Sequence, residues 1–470
     1  MSLRDEIFDE GRRFVLENKG LKLDDKGRQY LSPRISSEFM DCSMPLTFDQ
    51  YSHCSLGCIY CFAYFFKSCN QTFSSKLHTV NHTALIDTIH GEPNSARNKI
   101  MYEHFFKKKF LFHWGGMADP FCNFEKSNGI GYQIVKALAE ENYPTLFSFK
   151  GSAIFKPNFQ NLFGDYSKQK NFAFQVSIIA PTDKQSKEVE IGVPVTSRRI
   201  EAIRMLSQMG YYTILRLRPY IIGITNEGID DLLHKCLEAG IRAVSMEFFA
   251  MDARSSVGMR KRYEWLSKLI GVKSLQKYFR ALSPSERGGY MRLNRLVKEK
   301  YVKTVYKFCQ DNNLVFACSD PDFKELNTSG SCCGMPDKYP ANPLLENWTR
   351  GQMTYMIKEA RKKHHMHGTQ AKIKFDSVYH PNTDTYLNEV ELGQDHVMVS
   401  DRTQAQRQGI TYLKIAKEIW NNLRSPSNPR NYFHGKVMPI TIDGDGNFIY
   451  KYIEDEYEEK WKSEGLDLTR

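Results

Sequence analysis

The chain of 470 residues has no apolar run approaching a membrane span, no repeat of fixed period and no low-complexity tract. These absences set aside a membrane-spanning helix, solenoid and propeller arrays and compositionally disordered sequences. Residues 1–19 scatter Arg4, Asp5, Glu6, Asp9, Glu10 and Arg12 among their apolar positions, so the unbroken apolar centre of a secretory signal is missing. The expectation is a cytoplasmic protein without a membrane partner. In that compartment thiols stay reduced, and the eleven cysteines point to metal ligation or free thiols instead of disulfides.

Hydrophobic residues make up 41% and charged residues 25%, the make-up of a folded protein with a buried core. The length exceeds what one hydrophobic core usually serves, so a catalytic domain of barrel size plus an appended region is expected. The net charge of +11 is compatible with DNA, RNA or another polyanion but does not demand one.

From about residue 110 the sequence alternates short strands with longer helices. Strands are expected at 110–114, 146–150, 172–179, 212–217 and 243–249, with helices at 129–141, 197–209 and 228–239. Ile200, Ile203, Met205 and Leu206 illustrate the helical period. The alternation argues for an α/β fold, a parallel sheet wrapped by helices. Catalytic residues in such sheets gather at the carboxyl ends of strands.

After residue 320 a stretch rich in Pro, Gly, Asn and Cys (321–343) marks a boundary. A helix is expected at 348–363, an Arg- and Gln-rich helix near 400–422, and a hairpin at 443–446. The domain reading is an N-terminal extension over 1–40, the main α/β unit over 41–320, and an α+β accessory region over 321–470 with substrate binding as its candidate role. The run Arg361, Lys362, Lys363, His364, His365 ordinarily reads as a solvated helix face, and with Arg402, Arg407, Arg424 and Arg430 it offers a basic surface.

Cys54, Cys58 and Cys61 place three thiols within eight positions, close enough to reach one iron–sulfur cubane from a single loop. Three ligands leave one iron open, which a metal centre needs in order to bind and activate a reactant. The alternatives are a zinc site or unrelated buried thiols. A structural zinc asks for four protein ligands, and the nearby His53 adjoins Cys54 too closely to share its metal face readily.

The C-x3-C-x2-C spacing followed by the aromatic Phe62 resembles the signature of the radical S-adenosylmethionine (SAM) superfamily. The succession of Gly115, Gly116, Met117, Asp119 and Pro120, then Arg198, Arg199 and Glu201, then Arg218, Pro219 and Tyr220 resembles its spore photoproduct lyase-like branch over residues 41–252. The resemblance implies a partial (β/α)6 TIM-like barrel, a [4Fe-4S] cluster on Cys54, Cys58 and Cys61, and SAM as cofactor. It places the backbone of Phe62 at the adenine, Gly115 to Met117 at the methionine end, and Lys150 and Ser177 on the carboxylate and ribose. A reductant such as flavodoxin or ferredoxin is implied as partner. Arg216 and Arg218 alternate with Leu215 and Leu217, so both face one side of the fifth strand, with the barrel lumen as the expected side, where a guanidinium clamps a carboxylate or phosphate.

The chain departs from that branch in one place that matters. Gly116 stands where the branch carries its hydrogen-donating cysteine, and Ala118 replaces a serine, which argues against thymine-dimer repair by the branch's route. Cys122 is a candidate hydrogen donor from the same loop, with a buried structural thiol as the alternative. Cys309, Cys318, Cys332 and Cys333 cluster where the barrel should end and are candidates for a second iron–sulfur cluster, against the plainer reading of buried thiols.

The functional expectation is therefore a radical SAM enzyme that abstracts hydrogen from a substrate, with a nucleic-acid base first in order. Modification of a peptide or small metabolite is the second reading, and a metal-braced nucleic-acid-binding module without catalysis the third.

Overall fold

The computed structural model describes residues 2–7, 9, 33–35, 42, 44, 46–61, 77–253, 257–283, 286–287, 289–337, 352–368, 372–378, 391–392 and 410–470. Eight strands form its main sheet: β1 (Arg34–Ile35), β2 (Leu46–Phe48), β3 (Phe112–Trp114), β4 (Thr145–Phe149), β5 (Phe172–Ser177), β6 (Tyr212–Tyr220), β7 (Ala243–Phe248) and, later in the chain, β11. Between β7 and β11 come β8 (Met251–Asp252), β9 (Glu286–Arg287) and β10 (Tyr290–Met291), a small antiparallel sheet in the order β8-β10-β9. β11 spans Val315–Cys318 and pairs parallel with β7.

The order β1-β2-β3-β4-β5-β6-β7-β11 follows the chain, and every pair from β2 onward is parallel. Among the described residues nothing pairs β11 back to β1, so the sheet is an open, partial barrel. The six parallel strands of the expected partial TIM-like barrel are β2 to β7, and β11 adds a seventh. Two features escaped the alternation pattern. β2 is three residues long, too short for a periodicity to register, and β11 follows a helix, Arg295–Asp311, from which its own apolar run is hard to separate.

β4 and β5 are buried along their whole lengths, as strands covered on both faces must be. Phenylalanines fill one of those faces. Phe147 stacks on Phe174 with ring centroids 5.2 Å apart, and Phe163 of helix Pro157–Asp165 meets Phe174 edge-on at 5.1 Å. Each such pair contributes about 0.5–1.5 kcal/mol beyond its burial. Helix Thr196–Gln208 turns Ile200, Ile203 and Leu206 inward, as its period requires.

The barrel is closed at the amino ends of its strands. Leu111, Leu146, Ala173, Ile214 and Ala243 pack there against Cys333 and Met335. The segment that carries those two residues is tied into the lumen: the Gln175 amide donates to the Cys333 carbonyl at 2.5 Å, Ser245 Oγ to the Cys332 carbonyl at 3.1 Å, and the Tyr212 hydroxyl to the Gly334 carbonyl at 3.1 Å.

Beyond it, helix Met353–His367 and helix Tyr412–Asn421 account for the two expected helices, whose flanks at 348–351 and 400–409 lie outside the described residues. β12 (Lys372–Ile373) joins a sheet in the order β12-β16-β15, and β13 (Glu391–Leu392) pairs with β14 (Ile410–Thr411). β15 (Val437–Ile442) and β16 (Phe448–Tyr452) flank the hairpin at 443–446, where Asp443 accepts from the amides of Asp445 and Asn447 at 3.0 and 2.8 Å. Helix Glu456–Ser463 packs Trp461 near Tyr306 of helix Arg295–Asp311, ring centroids 6.1 Å apart.

The basic run does not form one solvated face. The Arg361 side chain is fully buried and donates to the Arg470 carbonyl at 2.9 Å, and the His365 side chain is 1% exposed. Arg402 and Arg407 lie outside the described residues. No helix among the described residues is long and apolar enough to cross a membrane.

Candidate active site at the carboxyl ends of the strands

A cavity of 470 Å³ opens where the parallel strands end. It is lined by Cys54, Cys58 and Cys61 after β2, by Gly115, Gly116, Met117 and Asp119 after β3, by Lys150 after β4, by Ser177 at the end of β5, and by Arg216 and Arg218 in β6. Residues spread over more than 160 positions thus share one wall because parallel strands release their loops at the same end. Phe62 lies outside the described residues.

The cysteine loop is clamped by its backbone. Cys58 forms an isolated antiparallel bridge with Glu190, the Ile59 amide donates to the Val189 carbonyl at 3.1 Å, and the Gly192 amide to the Leu56 carbonyl at 2.9 Å. Within it the Cys61 amide donates to the Cys58 carbonyl at 3.2 Å, and Gly57 at φ 63° turns the chain. On the far side Ser55 Oγ accepts from the Asn123 amide at 2.9 Å.

The donor set suits a cluster better than a single ion. One tetrahedral zinc with bonds of about 2.3 Å would draw its sulfurs to roughly 3.8 Å from one another. Among the described residues, the three sulfurs are not a group whose members all fall within 4.8 Å of one another. A four-iron cubane, bound through three of its irons, takes thiolates set wider apart. Burial pushes the Cys58 thiol up to about 12, with the Lys150 ammonium, 3.9 Å from its sulfur, pulling the other way.

Lys150 is not isolated in the cavity. Its ammonium contacts the Tyr60 hydroxyl and lies 3.3 Å from Glu190 Oε1, and the other Glu190 oxygen is paired with Arg199. Arg199 also donates to the Ser177 carbonyl at 2.7 Å and to Ser186 Oγ at 2.9 Å. Burial alone would raise the Glu190 carboxyl; Arg199 and Lys150 outweigh it and hold Glu190 down at about 2. This network joins the cysteine loop, the end of β4 and the end of β5. Tyr60 sits inside the cysteine motif and Arg199 in the second matched motif, so their positions were in view, but Glu190 carries no spacing signal that singles it out.

The loop after β3 is fixed by two carboxylates. Asp49 accepts from the amides of Met117 and Ala118 at 2.9 and 2.7 Å. Asp119 accepts from the amides of Lys150, Phe121 and Gly151 at 2.5, 2.8 and 3.0 Å, and burial still raises it to about 6. Gly115 has φ 102°, and a Cβ there would meet the Ser148 carbonyl oxygen at 2.2 Å. The glycine is required by the neighbouring strand itself, whatever the cavity holds.

Cys122 is fully buried and absent from the cavity wall, and burial raises its thiol to about 11. Cys309 and Cys318 are likewise buried, and among the described residues they join no group of three potential ligands within 4.8 Å.

Arg216 and Arg218 both reach the lumen. One Arg216 nitrogen donates to Ser177 Oγ at 3.3 Å, and Arg218 donates to the Cys332 carbonyl. The Nε of each is buried without a hydrogen-bond partner. Burial lowers the Arg216 guanidinium to about 10, with Arg218 adding to the effect. The wall also includes Glu247 and Arg292, both beyond the reach of the sequence motifs. The signal for Glu247 was a charged residue near the carboxyl end of an apolar strand, the same signal that marked Lys150.

No protein-family model matches the chain, and no curated protein does. Among solved structures the chain is similar to a spore photoproduct lyase variant at 13% identity and a TM-score of 0.48, over 66% of this chain and 84% of that one. A second spore photoproduct lyase variant, with bound AdoMet and dinucleoside spore photoproduct, is similar at 12% identity and a TM-score of 0.46, with the same coverage. Streptococcus suis SuiB is similar at 13% identity and a TM-score of 0.36, over 59% of this chain and 50% of that one.

Proposed function

We propose that this chain is a radical SAM enzyme. Cys54, Cys58 and Cys61 would hold three irons of a [4Fe-4S] cluster, and Gly116, Met117, Lys150 and Ser177 would hold SAM beside it. The observation that carries the reading is the convergence of the three cysteines, Lys150, Ser177 and both arginines on one cavity. Its 470 Å³ lies in the range of cofactor-sized sites. The cluster and SAM, when bound, supply a one-electron reductive cleavage that yields methionine and a 5′-deoxyadenosyl radical able to take hydrogen from a substrate.

The residues of the chain bind and orient. Glu190 holds the Lys150 side chain at the wall, where its ammonium group is suited to a carboxylate. Arg199 secures the end of β5 through the Ser177 carbonyl, which fixes the Ser177 hydroxyl toward the cavity. Asp49 and Asp119 hold the loop after β3 so that its backbone faces the same space. Arg216, Arg218 and Arg292 outnumber Glu247 on the remainder of the wall, which suits an anionic substrate group. The barrel of residues 41–320 would carry this chemistry, residues 321–470 would assist substrate binding, and a flavodoxin- or ferredoxin-type donor would deliver the electron.

A nucleic-acid base is the first substrate reading, supported by the net charge of +11 and the cationic wall. A peptide or small metabolite is the second, favoured by the burial of Arg361, which withdraws that side chain from the basic surface. Anaerobically purified protein should be brown, carry about four irons per chain and form 5′-deoxyadenosine from SAM under reduction. A colourless protein with stoichiometric zinc overturns the reading. Affinity for DNA and RNA that falls steeply with salt selects the first substrate class, and flat or absent binding selects the second.

A further inference from the structure

Far from the cysteine loop, the last turn of helix Met353–His367 meets the end of β16. One potential ligand atom from each of His364, His365 and Glu454 lies within 4.8 Å of the others. His364 Nε2 is 2.7 Å from Glu454 Oε2, and His365 Nδ1 is 3.6 Å from Glu454 Oε1. A tetrahedral ion with bonds of about 2.1 Å spaces its ligands at roughly 3.4 Å, between those two distances.

The second imidazole is set up by a partner behind it. His365 Nε2 lies 3.1 Å from Glu458 Oε2, and Glu458 is itself fully buried, with Lys436 and the Tyr452 hydroxyl each 2.5 Å from its other oxygen. A carboxylate on one ring nitrogen fixes the tautomer and leaves the other nitrogen as a lone-pair donor. That other nitrogen, Nδ1, belongs to a side chain only 1% exposed, has no hydrogen-bond partner, and faces a carboxylate oxygen. Two acceptors face each other across the gap, an arrangement that a cation between them relieves. Lys462, at 4.0 Å from Glu454 Oε1, is too distant to fill it.

The geometry points to a divalent transition-metal site, of the class that takes zinc, formed by His364, His365 and Glu454. Two imidazoles and one carboxylate make a borderline donor set, and the partial exposure of His364 and Glu454, 22% and 21%, leaves a further coordination position for water. The ion would fasten the end of the helix to the end of β16 and so brace the accessory region, independently of any cluster at Cys54, Cys58 and Cys61.

The test is a Co²⁺ titration of the full chain, both unaltered and with Cys54, Cys58 and Cys61 replaced by Ala, followed by thermal melts in Zn²⁺ or EDTA. Expected is one equivalent of Co²⁺ in the chain with those three cysteines replaced, with visible d–d bands and no thiolate charge-transfer band. His364→Gln should remove that equivalent while melting like the parent in EDTA, and only the parent's midpoint should rise with Zn²⁺. Glu458→Gln should weaken binding about 10–100-fold. The proposal is overturned if His364→Gln keeps the equivalent, if Zn²⁺ leaves the parent's midpoint unchanged, or if that midpoint responds to pH and not to metal, the mark of a proton shared in the same cluster.

Discussion

The two ends of the barrel are built from opposite materials. At the carboxyl ends of the strands, Lys150, Ser177, Arg216, Arg218 and Glu247 surround open space, and the loops between them are held by buried carboxylates. At the amino ends, Leu111, Leu146, Ala173, Ile214 and Ala243 close on Cys333 and Met335, and the side chains of Gln175, Ser245 and Tyr212 bond the backbone carbonyls of that segment. One strand often serves both: β6 contributes Ile214 to the closed end and Arg216 and Arg218 to the open one. The open end carries groups whose charges must be balanced at a cost, while the closed end supplies the apolar burial that offsets it.

Cysteine replacement breaks this contrast most sharply. Cys58→Ala should abolish cluster assembly and 5′-deoxyadenosine formation, whereas Cys333→Ala at the closed end should keep the iron content of the parent. Iron analysis of both anaerobically purified variants checks this, and equal iron in the two would remove Cys58 from the ligand set. Next comes Glu190→Gln, which strands the charges of Arg199 and Lys150 in a buried site. A loss of about 3–5 kcal/mol in denaturant unfolding is expected, as for other broken buried pairs. A loss below 1 kcal/mol would mean that the network is looser than its distances indicate.

Much of this contrast could be read from the residues themselves. The strands from β3 to β7 show their apolar runs and the helices their period of 3.6, and Lys150, Arg216 and Arg218 stand out as charges in apolar strands. The cysteine triplet carries its own spacing. What escaped was tertiary. Glu190 lies in no motif, and its importance comes from Lys150, Arg199 and Tyr60 converging on it from positions far apart in the chain. Cys332 and Cys333 read as part of a junction because no local pattern says that Gln175, Ser245 and Arg218 will accept that segment into the lumen. Arg361 and His365 looked solvated because a helical run of basic residues usually is, and only the packing of β16 and the final helix turns them inward.

The closed end gives the third test. Leu146→Ala removes a fully buried side chain from the cluster around Cys333, with an expected cost of about 2–5 kcal/mol. Iron content per folded chain should not change, since the side chain packs at the closed end and is not part of the cavity wall. A variant that unfolds little but loses its iron would mean that the two ends are coupled through β4.

The smallest effect expected lies outside both ends, at the junction of helix Arg295–Asp311 with the accessory region. Asp322 lies 2.5 Å from the buried Lys298 and is also paired with His434, while Asp320 lies 2.8 Å from the same ammonium. Burial by itself would raise the Asp322 carboxyl, but His434 and Lys298 hold it well below the ordinary carboxylate range. A carboxyl with a depressed folded value contributes stability above its unfolded value, near 4, and loses it as the pH falls through the folded one. Stability should therefore decline below about pH 4 in the parent. In Asp322→Asn it should begin lower at neutral pH and decline less steeply on acidification, because the substituted side chain has no proton to take up. Denaturant melts from pH 7 to pH 3 read the difference, and parallel curves for the two proteins would place the acid sensitivity in other carboxylates.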